Sequence, residues 1–419
     1  GLYEKQGLWE KAVGAYNQLI EAIVDIPSRL FFLLKVGEIY EEWLSDLDMA
    51  IGCYERAIKL SIESIPAWEG VARIHLKKGA PLKAIAVYEE LLKRAREVHD
   101  IERLAAIHID IGQVWESSDD MDQAILHYSQ ALESFPDYEP AMEKLAEIWS
   151  KQRAWQKVIP LYEQMFNSAQ KRGDVWKATG VLYTVGKLWQ DKIKDYDKAL
   201  EKYQALLEIE PGYVPALEGL SQIYRDSGNN ESLLQVYSQL AQHITEPRRL
   251  AFTFYEMGKI FQTKLLNKDE AIAHFRKAVE ADPTFAQPWE SLDEIYRESE
   301  SWSDLAKIYM ERAVAIKDLD RSIAFIMEAA QIYEEKLHDI KGEENCYLEA
   351  VKALPLYVPA LDSLARIYRD QERWEELLEI YDRQSRAIKD KKRLVPIFIN
   401  MGLVWKDALG HPEMAAAAF

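Results

Sequence analysis

Apolar and polar residues follow one another along this chain with the period of amphipathic helices. Between Pro215 and Tyr224 the apolar residues recur at helical spacing, and the stretch from Asp226 to Asn230 then supplies turn-forming residues. A second apolar stripe lies between positions 233 and 240. The pattern predicts two antiparallel helices joined by a short turn.

The same pair of helices recurs along the chain at intervals of 34 to 40 residues. Each repeat has one marker position in its first helix, and ten of the eleven markers are small or short residues. The markers are Gly37, Ala72, Gly112, Ala146, Gly186, Ser221, Gly258, Asp293, Ala330, Ala365 and Gly402. An aromatic residue or a histidine follows each marker by three positions, and another aromatic follows it by about sixteen. A fixed period of this size predicts a solenoid of stacked repeats. A small marker is expected because two helices joined by a short turn pack closely only where one presents little side chain.

Two kinds of repeat alternate. One kind contains the five glycine markers and Ala330, and the other opens its first helix with a proline, where a missing N–H has no cost. These prolines are Pro66, Pro140, Pro215, Pro288 and Pro359. The second helix of the proline kind often opens with tryptophan, at Trp9, Trp155, Trp302 and Trp374. The links that lead back to the glycine kind are longer, and they contain the candidate N-caps Asp100, Asp174, Thr245 and Asp390.

One repeat shows the full motif most clearly. Its residues are Ile111, Gly112, Trp115, Ala124, Tyr128, Ala131 and Pro136. This pattern resembles the tetratricopeptide repeat. The resemblance implies an all-α fold, a right-handed α-solenoid (superhelix) of about eleven helix-turn-helix repeats whose first helices form a concave face. We expect residues 1–419 to form a single continuous solenoid without a separate globular domain. The array is also expected to be truncated within a repeat at both ends, with flanking repeats or domains of a longer chain.

Composition and charge narrow the classes of partner. The hydrophobic content of 48% excludes general disorder, and the formal net charge of −18 argues against a nucleic-acid partner. The acidic balance favours a protein or peptide partner with a basic region. No apolar run approaches the ~18 residues of a membrane span, so no direct membrane insertion is expected. Cys53 and Cys346 are predicted to be small apolar residues on helices, without a disulfide between them.

Catalytic motifs are not apparent. The eight histidines are scattered, and there is no HExxH helix, phosphate-binding loop or dinucleotide-binding glycine pattern. We therefore predict no catalytic residue, no metal site and no cofactor. The favoured function is a non-catalytic scaffold for protein–protein interaction along the concave face. Two alternatives stay open: the recognition arm of a larger enzyme whose catalytic domain lies outside this segment, and an RNA-binding helical repeat.

Candidate partner-binding residues come from the concave-face positions that the resemblance implies. Arg225, Arg297 and Arg369 stand at the same position of three repeats and form an arginine ladder, and arginine can hold carboxylates bidentately. Further candidates lie one residue after a marker: Gln222, Glu294, Arg366, Lys187 and Lys259. Some tetratricopeptide domains carry a carboxylate-clamping asparagine at that position, but here none of the eleven is asparagine, so that clamp is not expected.

A simpler explanation of these charges is the helix dipole. It would place the acids of the proline repeats in the first helical turn and the arginines in the last. These acids are Glu69, Glu143, Glu218, Glu290 and Asp362. Glu343 is a separate departure, because other repeats have alanine at its position. A shifted helix start is the favoured explanation, with a partner site or a loosened joint as alternatives.

Overall fold

A computed structural model describes residues 2–419, and these residues form helices and turns without any strand. The chain divides into two compact units, Gly1–Pro211 and Gly212–Phe419. We call them the N-terminal unit and the C-terminal unit.

The N-terminal unit contains α1 Leu2–Lys5, α2 Trp9–Ala22, α3 Ile26–Glu42, α4 Leu47–Leu60, α5 Ile65–Lys77, α6 Pro81–Glu97, α7 Ile101–Ser117, α8 Met121–Ser134, α9 Glu139–Lys151, α10 Trp155–Arg172, α11 Val175–Lys187 and α12 Tyr196–Ile209. The C-terminal unit contains α13 Val214–Ser227, α14 Asn230–His243, α15 Pro247–Thr263, α16 Lys268–Ala281, α17 Ala286–Glu298, α18 Trp302–Ala315, α19 Leu319–Ile332, α20 Ile340–Ala353, α21 Val358–Asp370, α22 Trp374–Ala387, α23 Lys391–Leu403 and α24 Pro412–Ala418. Within each unit, every helix packs mainly on the helices before and after it in the chain. The predicted all-α array of helical hairpins is confirmed, whereas the handedness, the number of repeats and the single continuous array stay predictions.

The glycine markers lie where an aromatic ring of the second helix leaves no room for a side chain. A methyl group at Gly186 would lie 2.5 Å from Cε1 of Tyr203, and one at Gly258 would lie 2.5 Å from Cε1 of Phe275. The same relation holds for three further pairs, Gly37 with Tyr54, Gly112 with Tyr128, and Gly402 with Phe419. The rings of four of these pairs are among the largest fully buried side chains: Tyr54, Tyr128, Tyr203 and Phe275. Glycine at the marker thus lets a buried ring approach the backbone of the first helix.

Every hairpin turn is closed by the same backbone hydrogen bond. In all eleven predicted repeats, the carbonyl of the residue three positions after the marker accepts the N–H of the N-cap residue of the second helix, at 2.8 to 3.0 Å. Trp115 accepts from Asp120, five residues on, while Trp189 accepts from Asp195, six residues on. The longer loop contains one extra residue, which the π-helical turn Leu188–Ile193 accommodates. Two further π-helical turns, Tyr333–Leu337 and Val404–Ala408, follow first helices of the same alternating kind.

The residue before each of these N-caps adopts a left-handed conformation. Its φ lies between 51° and 71° in all eleven turns, although only three of these residues are glycine. The positions are Ser45, Gly79, Asp119, Arg153, Lys194, Gly228, Leu266, Glu300, His338, Glu372 and Gly410. A left-handed conformation costs a residue with a Cβ roughly 1–2 kcal/mol, so the closing hydrogen bond and the packing of the two helices must offset that cost.

Three of the four candidate N-caps cap helices. The carboxylates of Asp100, Asp174 and Asp390 accept hydrogen bonds from backbone N–H groups in the first turns of α7, α11 and α23. Thr245 is not an N-cap, and that prediction was wrong. Because Pro247 opens α15, the helix starts one residue later and the N-cap is Glu246.

Glu343 does not mark a shifted helix start. Its helix α20 has fourteen residues, as α4 has, and Glu343 lies four positions after the N-cap, as Ala50 does in α4. The carboxylate is buried at 3% relative exposure, and Arg366 donates to it at 2.5 Å. The departure from alanine therefore places a buried acid against an arginine of the next repeat, without changing the helix register.

The packing at the markers is testable within a single helix. Gly186→Ala should lower the melting temperature, because overpacking of a filled core costs about 1–3 kcal/mol. Gly180→Ala in the same helix is the matched control, because nothing lies within 4 Å of a Cβ placed there. Alanine should stabilise that position by about 0.5–1 kcal/mol. Thermal denaturation followed by circular dichroism compares the two variants, and a Gly186→Ala melting temperature at or above that of the unaltered chain contradicts the packing role.

Candidate functional site

The residue four positions after a glycine marker receives the tyrosine hydroxyl of the second helix. Tyr54 donates to Glu41 at 3.1 Å, and Tyr128 donates to Glu116 at 2.7 Å. Tyr203 donates in the same way to Gln190 at 2.8 Å. The ring that packs on the marker thus also orients a polar side chain at the end of the first helix.

The arginine ladder occupies the same position in the proline repeats. Arg297 donates to the hydroxyl of Tyr309 at 2.5 Å, and Arg369 donates to that of Tyr381 at 2.5 Å. Arg225 makes the corresponding hydrogen bond to Tyr237. Each arginine is therefore held by its own repeat, while the side chains of Arg225 and Arg297 stay 42% and 50% exposed. The ladder is an ordered row of partly exposed cations.

The helix-dipole explanation is wrong for the acids of the proline repeats. Glu69, for example, is the fifth residue of its helix and lies beyond the first turn. It pairs instead with Arg103 at the start of the next first helix, at 3.7 Å. Glu218 pairs in the same way with Arg249. Glu69 and Glu218 therefore connect neighbouring repeats, whereas Asp362 accepts a hydrogen bond from Gln384 of its own repeat.

In the C-terminal unit, polar side chains link the first helices of consecutive repeats. Arg225 on α13 reaches Glu256 on α15 at 3.4 Å. From α15, Gln262 donates to Glu294 on α17 at 3.4 Å. We call the polar residues on the first helices of this unit the first-helix row: Gln222, Arg225, Glu256, Lys259, Gln262, Asp293, Glu294, Arg297, Arg366 and Arg369. The row contains charges of both signs on four first helices, α13, α15, α17 and α21.

Most of the remaining candidate residues belong to this row. Gln222 accepts a hydrogen bond from Arg225 at 3.4 Å, and Lys259 donates to Gln262 at 3.1 Å. Arg366 pairs with Glu334 at 2.9 Å, in addition to Glu343. Asp293 is a marker that carries a carboxylate, and it holds Arg297 at 3.0 Å.

Lys187 is the one candidate outside the C-terminal unit. It lies at the end of α11 in the N-terminal unit, where it pairs with Asp191 at 3.5 Å.

An open cavity of about 600 Å³ lies beside Arg225, between α13, α14 and α15. Its lining combines the guanidinium groups of Arg225 and Arg249 with the aromatic rings of Phe252, Tyr255 and Phe285. Phe252 is 49% exposed, so its ring is accessible to a ligand in the cavity. The cavity thus offers a place for an apolar group next to two cations.

A buried cluster around Glu41 was missed by the sequence analysis. Arg73 and Lys77 of the next first helix each lie 2.7 Å from Glu41, whose side chain is 1% exposed. Burial opposes ionisation, but the hydrogen bonds from Arg73 and Lys77 outweigh it and lower the pKa of Glu41 to about 2. A signal was present in the sequence, because Glu41, Glu116 and Gln190 all stand four residues after a glycine marker.

Comparison with known families identifies the repeats. Family models described as tetratricopeptide repeat match residues 63–137, 253–285 and 360–395. These matches fall in both units and follow the predicted register of helices. The chain is a tetratricopeptide repeat protein. Its helical hairpins are accordingly the repeats of an α-solenoid.

Two curated proteins are similar to parts of this tetratricopeptide chain. The general transcriptional corepressor ssn6 of Schizosaccharomyces pombe is 31% identical over 133 residues, which cover 31% of this chain and 11% of that protein. A BBSome complex member BBS4 homolog of Drosophila melanogaster is 24% identical over 287 residues, covering 64% of this chain and 57% of that protein. The chain thus spans well under two thirds of the length of these relatives.

Among solved structures, a Naa15/Naa10 complex bound to HypK-THB contains a similar chain. The TM-score is 0.37 at 15% identity, and the similarity covers 99% of this chain and 66% of that one.

Residues 2–419 contain no group of three or more His, Cys, Asp or Glu side chains arranged to hold a metal ion. Burial raises the pKa of the Cys53 thiol and raises that of Cys346 to about 12, so both buried thiols stay protonated and are poor nucleophiles. No helix in the same residues has the length and apolar character to cross a membrane.

The Glu41 cluster predicts a pH dependence of stability. Because its pKa in the folded chain lies below the ordinary value of 4.5, the carboxylate stabilises the fold above pH 4.5 and loses this effect as the pH falls towards 2. Glu41→Gln should therefore lower the free energy of unfolding at pH 7 by about 1–3 kcal/mol. Urea denaturation at pH 7 and at pH 3 measures the difference, which should shrink at pH 3. An equal difference at both pH values contradicts a charge-based role for Glu41.

Proposed function

We propose that this tetratricopeptide repeat protein is a non-catalytic scaffold that holds a peptide segment of a partner protein along the first-helix row. The observation that carries the proposal is the arginine ladder, because its cations are held in place by tyrosine hydroxyls and yet stay partly exposed. Preorganised side chains lose little conformational entropy when a ligand binds. Tetratricopeptide repeats bind protein or peptide partners, and in this family the first helices line the concave face.

The cavity beside Arg225 is the proposed anchor of that peptide. An apolar side chain of the partner would contact Phe252 and Phe285, while a carboxylate next to it would reach Arg225 or Arg249. Further contacts along the row would each be weak, and together they would set the register of an extended peptide. Solenoid proteins commonly bind a partner through contacts from several repeats, each of which contributes part of the affinity.

The net charge of this chain suggests which residues flank the anchored group in the partner peptide. The chain contains 70 acidic and 52 basic residues, so a partner with a basic region would be attracted at long range. We therefore expect an acidic or C-terminal carboxylate group that is flanked by basic residues. The similarity to a curated member of a protein complex also supports a role in assembly.

Two triple variants test the proposal on peptides selected from a random phage-displayed library. Replacing Arg225, Arg297 and Arg369 together by alanine should weaken the affinity of the selected peptides at least tenfold, which is about 1.4 kcal/mol. The matched control replaces Tyr237, Tyr309 and Tyr381 by phenylalanine, which removes the hydrogen bonds between the tyrosines and the arginines but keeps the cations. This control should weaken the affinity by only about threefold, because the cations remain although they lose a partner that orders them. Fluorescence polarisation measures the affinities, and thermal denaturation measures the stability of each variant.

Two results would overturn the proposal. Equal loss of affinity in both variants would show that the arginines act only through the stability of their repeats. If no selected peptide binds at the first-helix row, the proposal that this surface binds peptides is wrong.

A further inference from the structure

A basic cavity lies at the turns of two consecutive repeats in the N-terminal unit. It has a volume of about 740 Å³, and its lining contains four cationic side chains and one carboxylate, that of Asp195. The cations are Arg153, Lys157, Lys192 and Lys198. Such a concentration of positive charge is unexpected in a chain with a formal net charge of −18.

Three of the four cations have no carboxylate partner. Lys198 lies 3.5 Å from Asp195 and 4.2 Å from the centre of the Trp189 ring. Arg153, Lys157 and Lys192, by contrast, form no ion pair with any residue between positions 2 and 419. Lys157 lies 5.4 Å from the centre of the Trp149 ring, and its charge, like those of Arg153 and Lys192, is not neutralised by a carboxylate and is available to an anionic ligand.

The cavity also has an apolar floor and an extension. Trp155, Trp189 and Ile193 line it as half-buried side chains. A second cavity of about 400 Å³ shares Gln156, Trp189 and Lys198 with it and continues along α10 past Pro160, where its two carboxylates, those of Glu163 and Glu201, both pair with Lys202. Because Pro160 lacks an N–H, the carbonyl of Gln156 has no donor at the usual i+4 position. The two cavities together form an elongated groove, which suits an extended chain better than a compact anion.

The repeat architecture does not require this basic charge. The corresponding junction of the C-terminal unit has Glu300 at the position of Arg153 and Asp304 at the position of Lys157. Both turns have the same closing hydrogen bond and a similar left-handed residue, with φ of 57° at Arg153 and 51° at Glu300. Trp302 likewise begins its second helix as Trp155 does. A structural role would apply to both junctions, so the cations at residues 153 and 157 require another explanation.

We propose that this groove binds a short acidic peptide segment of a partner protein. Its carboxylates would pair with Arg153, Lys157 and Lys192, and an apolar or aromatic side chain between them would pack on Trp155 and Trp189. The site lies at turns and second helices, so it is separate from the first-helix row and does not depend on the function proposed for that row.

The charge distribution around the groove favours a short acidic peptide over a nucleic acid. At physiological ionic strength, charges more than about 8 Å away are largely screened, so the local cations dominate the interaction with a ligand of a few residues. A longer polyanion would extend beyond the four cations and meet the acidic surroundings, and its phosphates need many Lys and Arg contacts for affinity.

The test uses the full chain and three fluorescein-labelled probes at 0.15 M salt. The first is a ten-residue peptide of Glu and Asp around one central Phe, the second replaces every acid by its amide, and the third is a ten-nucleotide oligouridine RNA. We expect the acidic peptide to bind at least tenfold more tightly than either of the other two. Fluorescence polarisation gives the dissociation constants.

The decisive variant is Arg153→Glu combined with Lys157→Asp, because residues 300 and 304 show that this fold accepts those side chains. It should weaken binding of the acidic peptide at least tenfold and leave the melting curve unchanged. The matched control, Lys83→Asp with Lys264→Glu, makes the same change in net charge away from the groove, because Lys83 stands at the position of Lys157 in another repeat and Lys264 lies in the turn after α15. It should leave the affinity within twofold.

Three outcomes would overturn the proposal. Equal binding of the acidic and amide peptides would show that the groove does not recognise negative charge. An equal loss of affinity in the control variant would show that the peptide binds only through nonspecific electrostatic attraction. Tighter binding of the RNA than of the acidic peptide would assign the groove to nucleic acid instead.

Discussion

The close approach of an aromatic ring to a helix backbone is the contact on which the repeats of this protein depend. The clearest example is Tyr54, whose ring lies between Gly37 of its own repeat and Gly70 of the next. A methyl group at either glycine would lie 2.7 Å from the ring. One buried side chain thus joins the two helices of a hairpin and also fixes the next hairpin against them.

This packing also determines where the polar side chains lie. The hydroxyl at the edge of a buried ring reaches the end of the first helix, four residues after the marker. There it meets Glu41 or Glu116 in the glycine repeats, and Arg297 or Arg369 in the proline repeats. Core and surface are therefore coupled, because a ring that packs correctly places a charge in a defined position. That coupling is why the arginine ladder is ordered enough to be proposed as a binding surface.

Much of the fold was predictable from the sequence, because helix packing requires particular residue types at regular intervals. Small markers and aromatic residues recur, and they correctly located the helical hairpins and the tryptophans that begin α2, α10, α18 and α22. The turns were less predictable. Leu266 has a φ of 53°, a left-handed conformation that the residue type suggests only for glycine or asparagine. Its conformation is imposed by the hydrogen bond that closes the turn.

The candidate site was predictable in part. Arg225 and its equivalents stood out because they repeat, but their tyrosine partners became visible only once the two helices were packed together. The acids at Glu69 and Glu218 were misinterpreted, because their cationic partners lie more than thirty residues away in the next repeat. The basic groove was missed for a different reason. Its cations come from two repeats, and no periodicity marks the positive charges at residues 153 and 157, because the corresponding residues 300 and 304 are acidic.

A double-mutant cycle between Gly258 and Phe275 tests the central packing claim most directly. Phe275 has no hydroxyl group, so the cycle isolates packing from the hydrogen bond that the tyrosines make. Gly258→Ala and Phe275→Leu are made singly and together, and the free energy of unfolding is measured by urea denaturation. If the ring excludes a Cβ, the smaller leucine should relieve the clash, and the double variant should be more stable than the sum of the single effects by about 0.5–3 kcal/mol. Additive effects would show that the ring and the marker do not constrain each other, and would contradict the account.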